Sequence, residues 1–504
     1  MRQEATKAGI VEMDSEIKYP DKYPYNPSEH YPEYPFEINS NELDKSNRVY
    51  ELVRNLFYTM GMDAANYGTK KWNPFGSIIK KGDKVVIKPN WVLDVSEHDI
   101  NALIANMSII RAIVDYSWIA CGSQGKIDIL ESPIEVTDWQ NLMYVTKADS
   151  TVEYLKSKAV NIDLQDIRTD WLTNKDVINL FGWRFKVFYR KKLPGTKKGF
   201  IHVDLKRDSL LTEVIDKANQ FRSIHLMTDN KVNYMHNKDK NAYVIPREIL
   251  ESNVFINVPK LKTHRKAGIT LAMKNLVGMI DHKDWHPVYT KGTPEQGGDE
   301  GPTKRSLFAR FGDWASLIYF TKKINFGFSF RPPGVERYWR KKTEMDLHKQ
   351  QNVRQGNWYM GNTIWRVIYD LNMILMHADK DGNMQEKNQR KFFCVVDGII
   401  SGEKFGPLNS VPKKTGVLIG SSDPIVTEFV GARVMGFDEK KLKTLINVNK
   451  QPDKYKFGIS NTSDFNKIII ESNKEKWKKI ISDPKKVSFH FIPAPGWEEH
   501  VEMN

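Results

Sequence analysis

The sequence predicts an α/β fold in which a mostly parallel sheet is flanked by helices, with inserted cap or lid segments and an extended N-terminal arm. Two short hydrophobic runs, 83–91 and 125–133, each end in polar residues, and a helical pattern over 108–119 separates them. Two strands joined by a helix of about a dozen residues are typical of a parallel pair with a right-handed crossover. A third run, 254–258, ends at Pro259, which lacks the backbone N–H that a further ladder bond needs.

The other elements continue this alternation. Apolar residues at helical spacing predict helices over 46–61 and 269–278. Short apolar and β-branched runs predict strands at 392–397 and 416–420, the second leading into a helix that begins near Asp423. These elements all fit the same α/β pattern.

Composition shifts divide the chain into a core and added segments. Repeated Tyr-Pro steps disfavour helix near the N-terminus and predict an extended arm, which either packs on its own domain or reaches a neighbouring subunit to form a homo-oligomer. A turn at Leu193-Pro194-Gly195 predicts a hairpin between 185–189 and 199–205. The expected organisation is an arm over 1–48, an α/β core over 49–450 with insertions at 136–245 and 288–356, and a C-terminal extension over 451–504.

Composition limits the class of protein. The 504 residues include 76 basic and 62 acidic side chains, a net charge of +14, without an arginine-rich block or a nucleic-acid motif. No apolar run approaches the ~20 residues of a membrane span, and the first residues lack the apolar core of a secretory signal. Cys121 and Cys394 are the only cysteines, so a disulfide scaffold is excluded and the cytoplasm is the expected location.

The segment after 254–258 concentrates polar residues. Lys260, Lys262 and His264 alternate with other residues, which places all three on one side of an extended chain. Lys274 and Asn275 lie on one face of the helix predicted next. Open α/β sheets bind ligands where strands end and helices begin, so these cations predict an anionic ligand. For Lys260 alone, a solvated surface charge is an equal alternative.

An ordered set of motifs resembles the uncharacterised family known as domain of unknown function 362. The resemblance spans about residues 80–440 and rests on Lys88-Pro89-Asn90, the strand ending in Glu131, Lys262-Thr263-His264, Lys274-Asn275, Asp370-Leu371, Asp397-Gly398, Gly406-Pro407, and the segment from Asp423 through Glu428 to Phe437.

The resemblance implies a shared site and leaves the reaction open, because the family's activity is not established. Glu428 stands where the family usually has aspartate. Some members carry a ferredoxin-like iron–sulfur segment, but this chain lacks the cysteines for one, so no built-in cluster is expected.

These observations assign roles to particular residues. The predicted catalytic residues are His264, Lys262 and Asp397. The predicted substrate-binding residues are Lys88, Asn90, Glu131, Lys274, Asn275 and Glu428. In the run 281–286, His282 and His286 are the expected ligands if a divalent metal is present. The alternative for that run is a polar surface turn.

The sequence supports two main functions. The first is a cytoplasmic enzyme that acts on a small phosphorylated or carboxylated metabolite, with assistance from a divalent metal as one option. The second is a non-catalytic basic protein that binds nucleic acid or an acidic partner, motivated by the net charge and the aromatic, basic stretch 331–342. Nucleic acid is the less expected partner. A metal-dependent step in cofactor or surface-glycan assembly is a third hypothesis. The loops typical of nucleotide hydrolases, dinucleotide-binding proteins and serine hydrolases are all missing.

Overall fold

The computed structural model describes residues 6–180, 183–223, 229–301, 326–331 and 353–503. Most of the stretch 331–342 therefore lies outside the described residues, as does much of the predicted insertion 288–356. Within the described residues, no helix is both long enough and apolar enough to cross a membrane.

The strands alternate with helices along much of the chain. The strands are β1 (Lys7–Glu12), β2 (Lys84–Pro89), β3 (Lys126–Glu131), β4 (Ile162–Asp166), β5 (Asp170–Leu180), β6 (Trp183–Lys192), β7 (Phe200–Asp204), β8 (Phe221–Arg222), β9 (Ala242–Pro246), β10 (Val254–Val258), β11 (Lys260–His264), β12 (Gly268–Thr270), β13 (Tyr289–Thr290), β14 (Phe326–Arg331), β15 (Lys391–Glu403), β16 (Val411–Ser421) and β17 (Ile469–Ser472). The α-helices are α1 (Arg48–Thr59), α2 (Met107–Cys121), α3 (Trp139–Thr146), α4 (Ala148–Ser157), α5 (Asp229–Met235), α6 (Arg247–Leu250), α7 (Ala272–Asn275), α8 (Ile364–His377), α9 (Pro424–Met435), α10 (Lys443–Ile446), α11 (Glu475–Lys478) and α12 (Pro484–Val487).

One large mixed sheet organises the molecule. Its strands run in the order β17, β1, β16, β15, β10, β2, β3, β4, with β11 beside β15 and β12 beside β11. The central strands from β15 through β10, β2 and β3 to β4 are all parallel. β16 is antiparallel to both β15 and β1. The predicted α/β fold class is therefore confirmed.

Hydrophobic cores cover both faces of this sheet. Val85 and Ile87 on β2 pack into the core that also receives α1 and α2. Val86, between them, packs into the opposite core with α8 and α9. Alternate side chains of a strand point to opposite faces, so a strand that is apolar at successive positions is expected in the middle of such a three-layer structure.

Both ends of the chain contribute strands to the sheet. β1, within the predicted arm, pairs with β16 and with β17 of the predicted C-terminal extension. The rest of the arm also packs on this chain, since Tyr19, Tyr25 and Tyr31 are buried. The structure thus has the arm packed on its own domain. A homo-oligomer stays a prediction.

Two predicted elements were wrong. The hairpin between 185–189 and 199–205 does not form, because β6 pairs with β5 along one edge and with β14 along the other. β7 pairs instead with β9. The helix over 269–278 is also shorter than predicted. Gly268, with φ of +81°, turns the chain back so that β12 pairs with β11, and α7 begins only at Ala272.

Candidate functional site

The carboxyl ends of β2 and β3 carry a buried ion pair. Lys88 Nζ lies 2.8 Å from Glu131 Oε1, and both side chains are buried. Glu131 also accepts hydrogen bonds from the backbone N–H groups of Trp91 and Ser132, each at 2.8 Å. A Cβ atom on Gly278 would lie 2.5 Å from both Lys88 Nζ and Glu131 Oε1, so only glycine fits against the pair in this arrangement.

A chain of three amide side chains joins β2 to the segment after β10. Asn90 Nδ2 donates to Asn275 Oδ1 at 2.8 Å, Asn275 Nδ2 donates to Asn257 Oδ1 at 2.7 Å, and Asn257 Nδ2 donates to the Ala272 carbonyl at 2.7 Å. A backbone carbonyl only accepts hydrogen bonds, so this last contact fixes the orientation of all three amides. The Asn90 Oδ1 atom is left buried without a hydrogen-bond partner among the described residues.

These groups border a cavity of about 380 Å³ at the carboxyl ends of the strands. Pockets that bind small ligands have volumes of about 300–1,000 Å³, so this cavity is large enough for a small ligand. The polar residues that line it include Asn90, Glu131, Ser132, Lys262, His264, Arg265, Lys266, Thr270, Lys274, Asn275, Lys283 and His286. Six of the nine predicted catalytic and substrate-binding residues thus line the same cavity: Lys262, His264, Asn90, Glu131, Lys274 and Asn275.

Four lysines form the cationic floor of the cavity, namely Lys262, Lys266, Lys274 and Lys283. Three of them donate to neutral oxygens. Lys262 donates to the Leu103 and Pro407 carbonyls at 2.5 and 3.3 Å, Lys283 donates to the Val277 carbonyl at 2.9 Å and to a serine hydroxyl, and Lys266 donates to a backbone carbonyl. Lys274 makes no hydrogen bond or ion pair within the described part of the chain.

Burial makes the charged form of these lysines costly. Burial, together with the neighbouring Arg265, lowers the pKa of Lys266 to about 7. Burial lowers the pKa of Lys283 to about 7 and that of Lys274 to about 8, and Lys88 adds to the second effect. The pKa of Lys262 is also well below its ordinary value, because of burial and the nearby Lys260. A bound anion would offset these costs.

His264 presents a single ring nitrogen to the cavity. Its Nδ1 atom accepts hydrogen bonds from the backbone N–H groups of Lys266 and Ala267, at 3.0 and 3.3 Å. Burial and the adjacent lysines hold its pKa well below 6.5, so the ring is neutral at pH 7. In a neutral imidazole whose Nδ1 accepts, Nε2 carries the proton. His264 is therefore a hydrogen-bond donor toward the cavity.

Three predicted residues lie outside the cavity lining. Lys88 contacts the site through its ion pair with Glu131 and through its backbone carbonyl, which accepts a hydrogen bond from Asn275 Nδ2 at 3.4 Å. Asp397 is fully buried in a separate cluster, 2.9 Å from Lys260 Nζ, and accepts hydrogen bonds from Tyr19 and from the Asn106 N–H at 2.5 and 2.9 Å. The predicted grouping of Asp397 with the catalytic candidates is therefore not found, because this carboxylate is already paired.

Glu428 lies below the site. One of its oxygens accepts from the Met273 N–H at 3.1 Å, and the other has no partner among the described residues. Burial raises the pKa of this carboxyl to about 8, although Lys274 opposes the rise. In its charged form Glu428 raises the pKa of Lys274, so it is a partial counter-charge for that lysine.

Lys260 also differs from its prediction. It is fully buried, so the alternative of a solvated surface charge is wrong, and it does not line the cavity beside Lys262 and His264. The pairing of β11 with β15 changes register between Lys260 and Lys262, which breaks the simple alternation expected of a flat strand.

The two histidines proposed as metal ligands have separate surroundings. His282 Nε2 lies 2.6 Å from Asp170 Oδ2, and these residues form, with Glu135, a group whose potential ligand atoms lie within 4.8 Å of one another. Arg190 contacts the same Asp170 carboxylate at 3.0 Å, so its guanidinium already balances charge there. His286 lines the cavity instead and has no hydrogen-bond partner among the described residues. A divalent metal stays a prediction.

Sequence reasoning missed two members of the cationic floor. Lys266 continues the alternation of Lys260, Lys262 and His264 by one more step, so the same pattern could have identified it. Lys283 lies between the two candidate metal ligands in the sequence, and no periodic signal links it to the other lysines. Only the fold of residues 276–286 brings it to the cavity.

The fold and the site define an α/β protein with a cationic cavity at the carboxyl ends of parallel strands. Residues 194–433, a little under half of the chain, match the sequence model of a family described as Domain of unknown function (DUF362), which supports membership of this family. The match includes Lys262, His264 and Lys274 but excludes β2 and β3, which supply Asn90 and Glu131.

Other comparisons add little. No curated protein matched the chain. A solved structure with some similarity is the crystal structure of a protein from Thermotoga maritima, at 9% sequence identity and a TM-score of 0.28. The match covers 76% of this chain and 57% of that protein, so this chain spans little more than half of its length. Similarity at this level supports no inference about fold or function.

Proposed function

We propose that the protein is an enzyme that acts on a small anionic metabolite carrying a phosphate or carboxylate group. The observation that carries this proposal is the charge of the cavity. Its described lining contains Lys262, Lys266, Lys274 and Lys283 but a single carboxylate, that of Glu131, which is already paired with Lys88. Buried cations without counter-charges are unfavourable unless a ligand supplies them.

The residues of the floor have distinct roles in this proposal. Lys274 is the main electrostatic contact, because its ammonium group makes no hydrogen bond within the described residues. Lys262 is held in place by the Leu103 carbonyl and contributes a second positive charge. The Nε2–H group of His264 donates a hydrogen bond to the anion. For His264, predicted as a catalytic residue, the proposed role is therefore that of a neutral hydrogen-bond donor.

Titration calorimetry with inorganic phosphate, sulfate, acetate and citrate tests the anion site. Wild-type protein is expected to bind at least one of these anions. The Lys274→Met variant is expected to bind it at least tenfold more weakly, and His264→Ala several-fold more weakly, as expected when a charged or polar contact worth about 1–3 kcal/mol is lost. Lys70→Met is the matched control, because Lys70 is exposed and does not line the cavity.

Equal affinities in wild type, Lys274→Met and Lys70→Met would contradict the proposal.

Turnover is tested next with a panel of phosphorylated and carboxylated metabolites. The same panel is applied to the Lys274→Met, His264→Ala and Lys70→Met variants. Elemental analysis of the purified protein decides whether a divalent metal takes part, and cell fractionation decides whether the protein is cytoplasmic.

A further inference from the structure

The cavity has two chemically different ends. The cationic floor is deep, because Lys262 is 0% exposed, Lys283 5% and Lys266 8%, and Lys274 is partly buried. Two lining residues are classed as exposed and both are aliphatic, Val136 at 40% and Leu408 at 39%, while the polar Arg265, Gln355 and Asn357 are partly exposed. These two residues, together with the partly buried Ile134 and Pro407, are called the aliphatic mouth.

The mouth comes from two separate loops. Ile134 and Val136 follow the carboxyl end of β3, whereas Pro407 and Leu408 lie in the connection between β15 and β16. Single exposed apolar side chains are ordinary on protein surfaces and need no explanation. Four aliphatic side chains from two loops around the opening of one charged cavity are a more specific arrangement.

The rest of the described lining further limits the chemical class of the ligand. It contains no phenylalanine, tyrosine or tryptophan, so there is no aromatic ring on which a nucleobase would stack. Its one carboxylate, Glu131, is paired with Lys88 and receives two backbone hydrogen bonds, so no free counter-charge is offered to an ammonium group. Nucleotides and amino acids are poor matches for such a lining.

We infer that the ligand is an amphipathic anion, in which a phosphate or carboxylate head contacts the cationic floor and an aliphatic body contacts the mouth. This inference rests on the proposed function and names its substrate class. A bare anion would leave the mouth in water, whereas an aliphatic body would cover Val136 and Leu408. Removal of apolar surface from water is favourable and grows with the area covered.

A series of alkyl phosphates tests this inference by calorimetry. The series is inorganic phosphate, ethyl phosphate, butyl phosphate and hexyl phosphate, with acetate, butyrate and hexanoate in parallel to show which head group is preferred. Each methylene group that the mouth covers is expected to lower Kd by about fourfold. Adenosine monophosphate and glucose 6-phosphate serve as competing phosphates without an aliphatic body.

Two variants separate the mouth from the rest of the surface. Leu408→Ser is expected to reduce the ratio between the affinities for hexyl phosphate and inorganic phosphate by about tenfold, since most of a leucine side chain is lost. Ile446→Ser is the matched control, because Ile446 is 42% exposed and does not line the cavity. It is expected to leave the ratio unchanged. Both sites are exposed, so neither change threatens folding.

Each outcome bears on a different statement. If no phosphate or carboxylate binds, the proposed function fails together with the inference. If all members of the series bind with similar Kd, the anion site stands and the aliphatic body is wrong. Tighter binding of adenosine monophosphate or glucose 6-phosphate than of hexyl phosphate would also overturn the inference, as would a Leu408→Ser variant with an unchanged ratio.

Discussion

Lys260 and Lys262 lie two residues apart on β11 and are both fully buried, yet their surroundings are opposite. Lys260 forms an ion pair with Asp397 and also donates to the Tyr19 hydroxyl at 2.8 Å. Among the described residues, Lys262 donates to carbonyl oxygens alone and faces a cavity with three further lysines. Burial of a cation therefore does not identify a binding site by itself. The proposed anion site depends instead on the missing ion-pair partner of Lys262.

The Lys88–Glu131 pair lies between these two cases. It is buried and internally paired like Lys260 and Asp397, but Glu131 also lines the cavity. We therefore distinguish a compensated group, Lys260 with Asp397 and Lys88 with Glu131, from the uncompensated cationic floor. Changes in the first group are expected to lower the stability of the fold, and changes in the second to alter ligand binding.

The largest loss of stability is expected from Asp397→Asn. This change leaves Lys260 buried without a counter-charge, which costs about 3–5 kcal/mol in the free energy of unfolding. Urea unfolding monitored by circular dichroism measures the loss. Lys260→Met combined with Asp397→Leu removes both charges and is expected to recover most of the stability. A loss of less than about 1 kcal/mol in Asp397→Asn would contradict a compensated pair.

Gly278→Ala is expected to have a smaller but clear effect. The added methyl group would lie 2.5 Å from Lys88 Nζ and Glu131 Oε1, so the pair must separate or move. Overpacking of this kind costs about 1–3 kcal/mol in stability. Because Glu131 lines the cavity, anion affinity is also expected to change. Unfolding free energy and anion affinity that both equal the wild-type values would show that the pair has room to move.

Lys274→Met is expected to raise the stability of the fold, whereas Asp397→Asn and Gly278→Ala lower it. Without ligand, it removes an uncompensated charge, so the free energy of unfolding at pH 7 rises by about 1 kcal/mol even though anion binding is lost. The pKa of Lys274 is lowered from 10.5 to about 8 in the folded protein, so the cost is fully present below about pH 8 and disappears as the pH rises toward 10.5.

Urea unfolding of wild type and Lys274→Met at pH 7 and pH 10 tests this sign. The difference between the two proteins is expected to shrink at the higher pH. Lys70→Met is again the control and is expected to stay within about 0.5 kcal/mol of wild type. A Lys274→Met variant that is less stable than wild type at pH 7 would mean that this lysine has a structural role.

The smallest expected signal is proton uptake on ligand binding. The pKa values of Lys266 and Lys283 are lowered to about 7 by burial, and an anion that raises them makes the protein bind protons at pH 8. Calorimetry with sulfate in buffers of different ionisation enthalpy is expected to give an uptake of about one proton at pH 8 and much less at pH 6. An equal uptake at both pH values would contradict the lowered pKa values.

Much of the fold could be predicted from local patterns. Apolar runs predicted β2, β3 and β10, because these strands lie in the middle of the sheet and are apolar on both faces, and helical spacing predicted α2. Short motifs also predicted the family resemblance and six of the residues that line the cavity. The helix over 269–278 failed because pairing between β12 and β11 outweighs local helical spacing.

The sequence by itself determined that cations follow β10 and that polar residues end β2 and β3. Only the tertiary structure decided which of those cations are neutralised. Tyr19 and Asp397 reach Lys260 from 241 and 137 residues away in the chain, whereas no carboxylate of the described residues forms an ion pair with Lys262 or Lys274. Counter-charges act through space over a few ångströms, and sequence spacing does not encode which distant residues come that close.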